Sequence, residues 1–157
     1  MNKLISIISF IFSFMISSFI WGQNFEMITI PAGEYIYGPA NNILTIDYYY
    51  QIGKYEITNE QYVEYLETAL ENGNIIVSTS SVQGDYEGGY GLESGIYEFL
   101  DLDDDDCLID WDGISFSIIE TYENHPVREV STIGAFAFAQ YYGYRLPTEH
   151  EWEKAAR

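Results

Sequence analysis

The stretch that decides the fold closes the sequence and reads Gly143-Tyr144-Arg145-Leu146-Pro147-Thr148-Glu149-His150-Glu151-Trp152-Glu153-Lys154-Ala155-Ala156-Arg157. Thr148 and Glu151 stand at capping-box spacing after Pro147, which predicts a helix that starts at Thr148. Its inward face is expected to consist of Trp152, Ala155 and Ala156. Arg145 can pair with an acid, and Glu153 can pair with Arg157 one turn later. Capping and packing account for the whole motif, so these residues are interpreted as structural and not catalytic: Arg145, Leu146, Pro147, Thr148, Glu149, Glu151 and Trp152.

Two further helices are predicted upstream. Thr58 and Gln61 form a second capping box, apolar residues follow at helical spacing, and Asn72-Gly73 ends that helix. Ser131 caps a helix that runs to Tyr142, and its nearly continuous apolar surface predicts burial on all sides. The closing helix at Trp152 has no following element to cover it, so we expect the chain to be cut short.

Strands fill most of the remaining sequence. Alternation predicts a strand over 25–30, a turn, a second strand over 34–37, and a single half-buried strand from Leu44 to Ile52. Residues 75–77 are a short candidate strand. The alternating stretches 107–111 and 114–119 flank Asp112-Gly113, which predicts a hairpin. The glycine- and tyrosine-rich segment 84–97 is expected to be an irregular loop.

The charge balance excludes several classes of partner. Asp and Glu number 25 against six Lys and Arg, which gives a formal net charge of −19. Such a chain is repelled by phosphate backbones and anionic lipids, so we expect no nucleic-acid or membrane-surface partner. The 15 Tyr, nine Phe and three Trp residues indicate a globular domain and not a disordered acidic tail.

The amino terminus has the layout of a secretory signal peptide. A short basic start containing Lys3 precedes an uncharged apolar run over 4–20, and the sequence turns polar after Gly22. We expect residues 1–22 to be removed and residues 23–157 to be exported, periplasmic or extracellular. An uncleaved membrane anchor is the alternative, because the run lies at the lower limit for spanning a bilayer.

The candidate metal and nucleophile residues have competing interpretations. Asp101, Asp103, Asp105 and Asp112 offer hard oxygen ligands and are weak calcium candidates, but they do not fit the EF-hand pattern. A solvated acidic loop is the alternative. Cys107 is the only cysteine, and the aspartates before it should raise its pKa, so a small apolar residue is favoured over a reactive thiol. His125 and His150 have no third ligand nearby, which argues against zinc.

The segment 84–97 is also the best candidate for a ligand-contacting surface, because aromatic residues on irregular loops often form binding surfaces. A loop that packs its tyrosines inward is the alternative.

Four ordered blocks resemble the formylglycine-generating enzyme, or sulfatase-modifying factor, family. They are 25–38, 50–62, 125–131 and 143–157. The resemblance implies an α+β fold, an irregular variant of the C-type-lectin fold that is incomplete here, with an acidic Tyr/Gly-rich insertion at about 74–124. The chain departs from the family at Thr132, where tryptophan is usual, and at His150, where a small residue is common.

The resemblance also implies a function for the complete domain, which is the oxidation of a sulfatase cysteine to formylglycine. The family's copper-binding cysteine pair and its calcium sites lie beyond the position of Arg157, and Cys107 matches neither cysteine. We therefore expect no catalytic or cofactor-binding residue in this chain, whose partner would be a sulfatase polypeptide or another exported protein. The alternative is a non-catalytic extracellular binding or scaffold module of the same fold.

Overall fold

The computed structural model describes residues 25–89 and 91–157, so the predicted signal peptide at 1–22 and the tyrosine at position 90 lie outside the described residues. Small antiparallel sheets and short helices make this an α+β fold. The helices are α1 (Asn59–Glu71), α2 (Thr132–Tyr141) and α3 (Glu149–Ala155). The strands are β1 (Met27–Ile30), β2 (Gly33–Tyr37), β3 (Asn42–Ile46), β4 (Tyr50–Gly53), β5 (Ile75–Val77), β6 (Ser81–Tyr86), β7 (Gly95–Asp101), β8 (Ile109–Trp111) and β9 (Phe116–Ile118).

The first four strands form two nested antiparallel pairs. β2 pairs with β3 in a hairpin, and β1 pairs with β4 around it. The prediction of one strand from Leu44 to Ile52 is wrong, because the chain leaves β3 after Ile46 and joins a different partner strand at Tyr50. The alternation of apolar residues continues across the break and therefore hid it. Tyr35, Ile46 and Tyr50 form a small core between the two pairs.

Helix α1 has the predicted boundaries. Thr58 accepts a hydrogen bond from the Gln61 N–H, and the Gln61 side chain accepts one from the Thr58 N–H, so the capping box is confirmed. Asn72 closes the helix, and Gly73 follows with a φ of 72°. The buried face of α1 supplies Tyr62, Tyr65, Leu66 and Ala69 to the larger core.

Strands β5, β6 and β7 form a three-stranded antiparallel sheet with β6 in the centre. The prediction that 84–97 is wholly irregular is wrong, because its two ends lie in β6 and β7 and only residues 87–94 connect them. Gly84 lies within β6, and close packing explains why this strand position is a glycine. A Cβ there would lie 2.5 Å from Cζ of Phe99. The glycine reflects close packing in a sheet and not a loop.

The hairpin around Asp112-Gly113 is confirmed. β8 and β9 pair antiparallel with Ile109 opposite Ile118, and Oδ1 of Asp112 accepts hydrogen bonds from the Ile114 and Ser115 N–H groups, each 2.8 Å long. This hairpin packs against α1 through Ile109 and Phe116, which belong to the larger core.

Helix α2 is less buried than predicted. Ser131 caps it as expected, but only Gly134, Phe138 and Ala139 among its residues are fully buried. The helix packs closely on one neighbour, since a Cβ on Gly134 would lie 2.8 Å from the Cα of Phe99 in β7. One-sided packing leaves the other apolar side chains of α2 half-buried.

The predicted position of helix α3 is confirmed, but its predicted orientation is wrong. Its capping box between Thr148 and Glu151 and the Glu153–Arg157 ion pair of 2.7 Å are both present. Trp152 was expected to fill the core, yet it is 61% exposed, and Ala156 is exposed as well. The fully buried residue of this helix is Glu151, because α3 packs on the first strands through polar contacts.

Across the described ranges, none of the helices combines the length and apolar character that a bilayer span requires.

Candidate functional site

The buried carboxylate of Glu151 is the centre of the family motif. Its residue is 0% exposed, and the Arg145 guanidinium donates to both oxygens, with 2.7 Å from Nη1 to Oε2 and 2.6 Å from Nη2 to Oε1. A bidentate pair of this kind stabilises the charged form strongly. The hydrogen bonds from Arg145 and from the Thr148 N–H outweigh burial and lower the pKa of Glu151 to about 2.

Two tyrosines connect the same carboxylate residue to the first strands. The Tyr48 hydroxyl donates to Oε1 of Glu151 at 3.2 Å, and the Tyr50 hydroxyl donates to the Glu151 backbone carbonyl at 2.5 Å. Neither tyrosine was singled out from the sequence as part of this site, because the capping box explains Glu151 without a distant partner. We call Arg145, Glu151, Thr148, Tyr48 and Tyr50 the Glu151 cluster.

A second set of contacts fastens α3 to the β2–β3 hairpin. The Tyr35 hydroxyl lies 2.7 Å from Nδ1 of His150, and the Tyr37 hydroxyl donates to Glu149 at 2.6 Å. The hydrogen bond to Glu149 is the main reason that the pKa of Tyr37 is raised, so this phenol stays protonated. Two further bonds of 2.8 Å join Glu153 to the Gly38 N–H and Lys154 to the Gly33 carbonyl.

These contacts give the family motif at 143–157 a structural role, which is to hold α3 in place. Arg145, Thr148, Glu149 and Glu151 each have protein partners within hydrogen-bond distance, and Arg145 also donates to the Leu146 carbonyl at 3.0 Å. Chemically, the arrangement can hold a buried charge and fix the angle of a short helix against the two nested strand pairs. Trp152 is the exception, since its ring is largely exposed beside Pro39 and Arg157.

Next to the Glu151 cluster lies an open groove of about 610 Å³. This volume is within the range of ligand-binding clefts. Phe138, Ala139 and Tyr50 are buried residues of its lining, and Tyr55 and Tyr144 are exposed aromatic residues of the same lining. Phe25 makes edge-on ring contacts with Phe138 at 5.9 Å and with Tyr144 at 5.7 Å, so the rings of the aromatic wall pack against one another. We call this cavity the aromatic groove.

The lone thiol lies away from this groove, in the core beneath the β8–β9 hairpin. Cys107 is 7% exposed, and its Sγ donates to the Ile109 carbonyl at 3.5 Å. Burial is the largest cause that raises the pKa of Cys107, and the charges of Asp110, Glu129 and Asp101 add to it. The sequence predicted the raised pKa but named only the smaller, electrostatic cause.

The four calcium candidates do not converge on one point. Asp112 serves the hairpin turn, and Oδ1 of Asp101 accepts the Asp103 N–H at 3.0 Å. Within the described ranges, the acidic group that does converge consists of Asp104, Asp106 and Glu129, with ligand oxygens within 4.8 Å of one another. Arg128 already pairs with Asp106 at 2.9 Å.

The two histidines occupy separate surroundings. His125 packs against the Tyr122 ring at 4.8 Å, whereas His150 packs against Tyr37 at 4.7 Å. In the candidate ligand-contacting segment 84–97, Tyr86 is buried at 1% exposure and Tyr97 is half-buried, which matches the inward-packing alternative for these two residues.

Comparison with known proteins identifies the family. Residues 18–157 match the family model described as sulfatase-modifying factor enzyme 1-like domain. The serine/threonine-protein kinase pkn1 of Chlamydia pneumoniae is 29% identical over 140 residues, which cover 83% of this chain and 19% of the kinase. YfmG of Bacillus subtilis is 33% identical over 106 residues, which cover 68% of this chain and 17% of YfmG.

Formylglycine-generating enzymes match over shorter stretches. The enzyme of Thermomonospora curvata is 56% identical over 41 residues, which cover 26% of this chain and 14% of the enzyme. The chain spans less than a fifth of the length of the curated relatives described above. No solved structure matches it.

Fold and site together define an α+β domain whose closing helix is held by a buried glutamate–arginine pair. The chain belongs to the sulfatase-modifying factor enzyme 1-like family, as the resemblance predicted.

Proposed function

We propose that this chain is the amino-terminal scaffold part of an exported formylglycine-generating-enzyme-type domain with a C-type-lectin-like architecture. The complete domain would oxidise a sulfatase cysteine to formylglycine, and the residues described here would hold the framework and not perform the redox chemistry. The observation that carries the proposal is the Glu151 cluster, in which the family motif is engaged in internal contacts.

The described residues do not fit the metals that the family implies. Copper favours soft thiolate ligands, and Cys107 is a buried thiol whose pKa is raised. Calcium takes six to eight oxygens, whereas Asp101 and Asp112 already accept backbone hydrogen bonds and Asp106 pairs with Arg128. We therefore assign no step of the reaction to a metal held by these residues.

An aldehyde assay tests the scaffold role. The full chain is incubated with copper, oxygen and a peptide that carries a sulfatase target cysteine, and aldehyde is detected by hydrazide labelling and mass spectrometry. We expect no aldehyde above the level of a protein-free control. Aldehyde formation that the Cys107→Ser variant abolishes would overturn the proposal.

Export is the second part of the proposal, and it rests on the basic start and the apolar run over 4–20. Expression of the full chain in a bacterial host, followed by amino-terminal sequencing of the exported product, tests it. We expect a product that starts near Gln23. A product that keeps Met1 and stays with the membrane fraction would instead support the anchor.

A binding module is the second candidate function, and the aromatic groove favours it. A protein kinase and YfmG match this chain over most of its length, whereas the formylglycine-generating enzymes match it over shorter stretches. In this candidate, the groove would capture a segment of another exported protein, and oxidation would play no part.

A further inference from the structure

We propose that the aromatic groove binds an extended, positively charged polypeptide segment of a partner protein, whether or not that segment contains a cysteine. The inference rests on the binding role proposed above and adds the chemistry of the ligand. Two observations carry it: the aromatic lining of the groove, and the negative charge of the described residues, of which Glu56 in the lining is unpaired.

The lining suits the apolar side chains of a peptide. Phe25, Phe138 and Tyr144 form a packed aromatic wall, and Tyr55 is 67% exposed at the rim. Aromatic side chains provide large contact areas with few rotatable bonds, so little conformational entropy is lost when a ligand contacts them. The rim already holds one cation, because Nζ of Lys54 lies 5.0 Å from the centre of the Tyr55 ring.

The net charge of the molecule favours a ligand of positive charge. The described residues include 25 acidic and five basic side chains, a formal net charge of −20. Each of the five cations is already engaged: Lys54 with Glu26, Arg128 with Asp106, Arg145 with Glu151, Arg157 with Glu153, and Lys154 with the Gly33 carbonyl. The surplus of negative charge would attract a basic segment and repel an acidic one.

Within the groove, Glu56 is the carboxylate available to such a segment. It is exposed, and among the described residues no hydrogen bond or ion pair to it is found. Glu26 lines the groove as well but pairs with Lys54 at 2.6 Å. The charge of Arg145 at the rim is countered by Glu151, so it does not reverse the sign of the site.

The test uses the full chain and two fluorescent, cysteine-free peptides, one alternating lysine with leucine and one alternating glutamate with leucine. Fluorescence anisotropy should show the lysine peptide binding on the order of tenfold or more tightly, with affinity falling as salt is added. Equal binding of both peptides, or binding of neither, would overturn the proposal. Since neither peptide can be oxidised at a cysteine, this result is independent of the aldehyde assay.

Matched variants locate the site. Glu56→Gln should weaken binding of the lysine peptide by about threefold, and Tyr55→Ala by about fivefold. The controls are Glu120→Gln and Tyr49→Ala, which alter exposed residues outside the groove lining and should leave the affinity unchanged. Equal effects of groove and control variants would contradict a localised site. Self-association of the chain that Tyr55→Ala abolishes would assign the groove to a second copy and would also overturn the proposal.

Discussion

At the scale of single residues, Glu151 is a carboxylate that burial alone would drive towards its neutral form. Arg145 and the Thr148 N–H reverse this effect, and the pKa of about 2 lies well below the ordinary value of 4.5. A buried charge with this many partners is costly to disturb, because removing one partner leaves the others desolvated and unmatched.

Replacing this carboxylate should therefore destabilise the domain. We expect Glu151→Gln to lower the free energy of unfolding by about 2 kcal/mol, because glutamine cannot reproduce the charge-assisted pair with Arg145, whose own side chain is 49% exposed and stays hydrated. Urea denaturation followed by circular dichroism measures the effect, with Glu120→Gln, at an exposed position, as the control. A change of equal size in the control would show that the effect comes from net charge and not from the cluster.

The difference in free energy of unfolding between the parent chain and Glu151→Gln should depend on pH. Because the pKa of Glu151 is lower in the folded chain than its ordinary value, its stabilisation is present above pH 4.5 and is lost as the pH falls from 4.5 towards 2. The gap in stability between the parent chain and Glu151→Gln should shrink over that interval. A gap that stays constant from neutral pH to pH 2 would mean that the fold does not lower the pKa of Glu151.

At the scale of elements, local signals predicted the helices and several short strands, including the β8–β9 hairpin, but not the pairing of β3 and β4. Capping boxes lie within four residues, so Thr58 with Gln61 and Thr148 with Glu151 identified their helices from sequence alone. Strand partners depend on residues far apart in the chain, and the alternation over 44–52 could not reveal that β3 and β4 pair with different strands.

The orientation of α3 was misjudged for a related reason. A helix of seven residues carries little periodic signal, and Trp152 was assumed to face inward because it is the largest apolar side chain. The actual anchor is polar and distant in sequence, since Tyr48 and Tyr50 approach Glu151 from β4 and the turn before it. No local pattern marks those tyrosines as its partners.

Packing of α2 on β7 provides a prediction at this scale. In an unconstrained helix, Gly→Ala is favourable by about 1 kcal/mol. Gly134→Ala should nevertheless destabilise the fold by about 1–3 kcal/mol, since the new Cβ would lie 2.8 Å from the Cα of Phe99. Thermal unfolding measures the change, and Gln140→Ala, at an exposed position in the same helix, should have little effect. A stabilised Gly134→Ala variant would show that α2 sits further from β7.

At the scale of the whole molecule, the net charge of −20 on the described residues opposes the compact state. Added salt should raise the melting temperature by screening that repulsion. Magnesium and calcium chlorides compared at equal ionic strength separate screening from binding, because the two cations carry the same charge, and we expect equal melting temperatures. A higher melting temperature in calcium that Asp106→Asn removes would establish an ion site at Asp104, Asp106 and Glu129.

The order of the sequence motifs indicated the family that the comparison identified. The aromatic groove could not be foreseen, because its lining comes from β1, β4, all three helices and the segment between α2 and α3. Such a cavity exists only once the two nested strand pairs and the helices are placed together.

Hydrogen–deuterium exchange at the Trp152 amide tests the central claim that the Glu151 cluster holds α3 on the first strands. This N–H donates to the Thr148 carbonyl at 2.9 Å, within the turn that Glu151 anchors. We predict slow exchange in the parent chain and much faster exchange in Glu151→Gln, with the amides of α1 unchanged. Equal exchange at Trp152 in both proteins would contradict the claim.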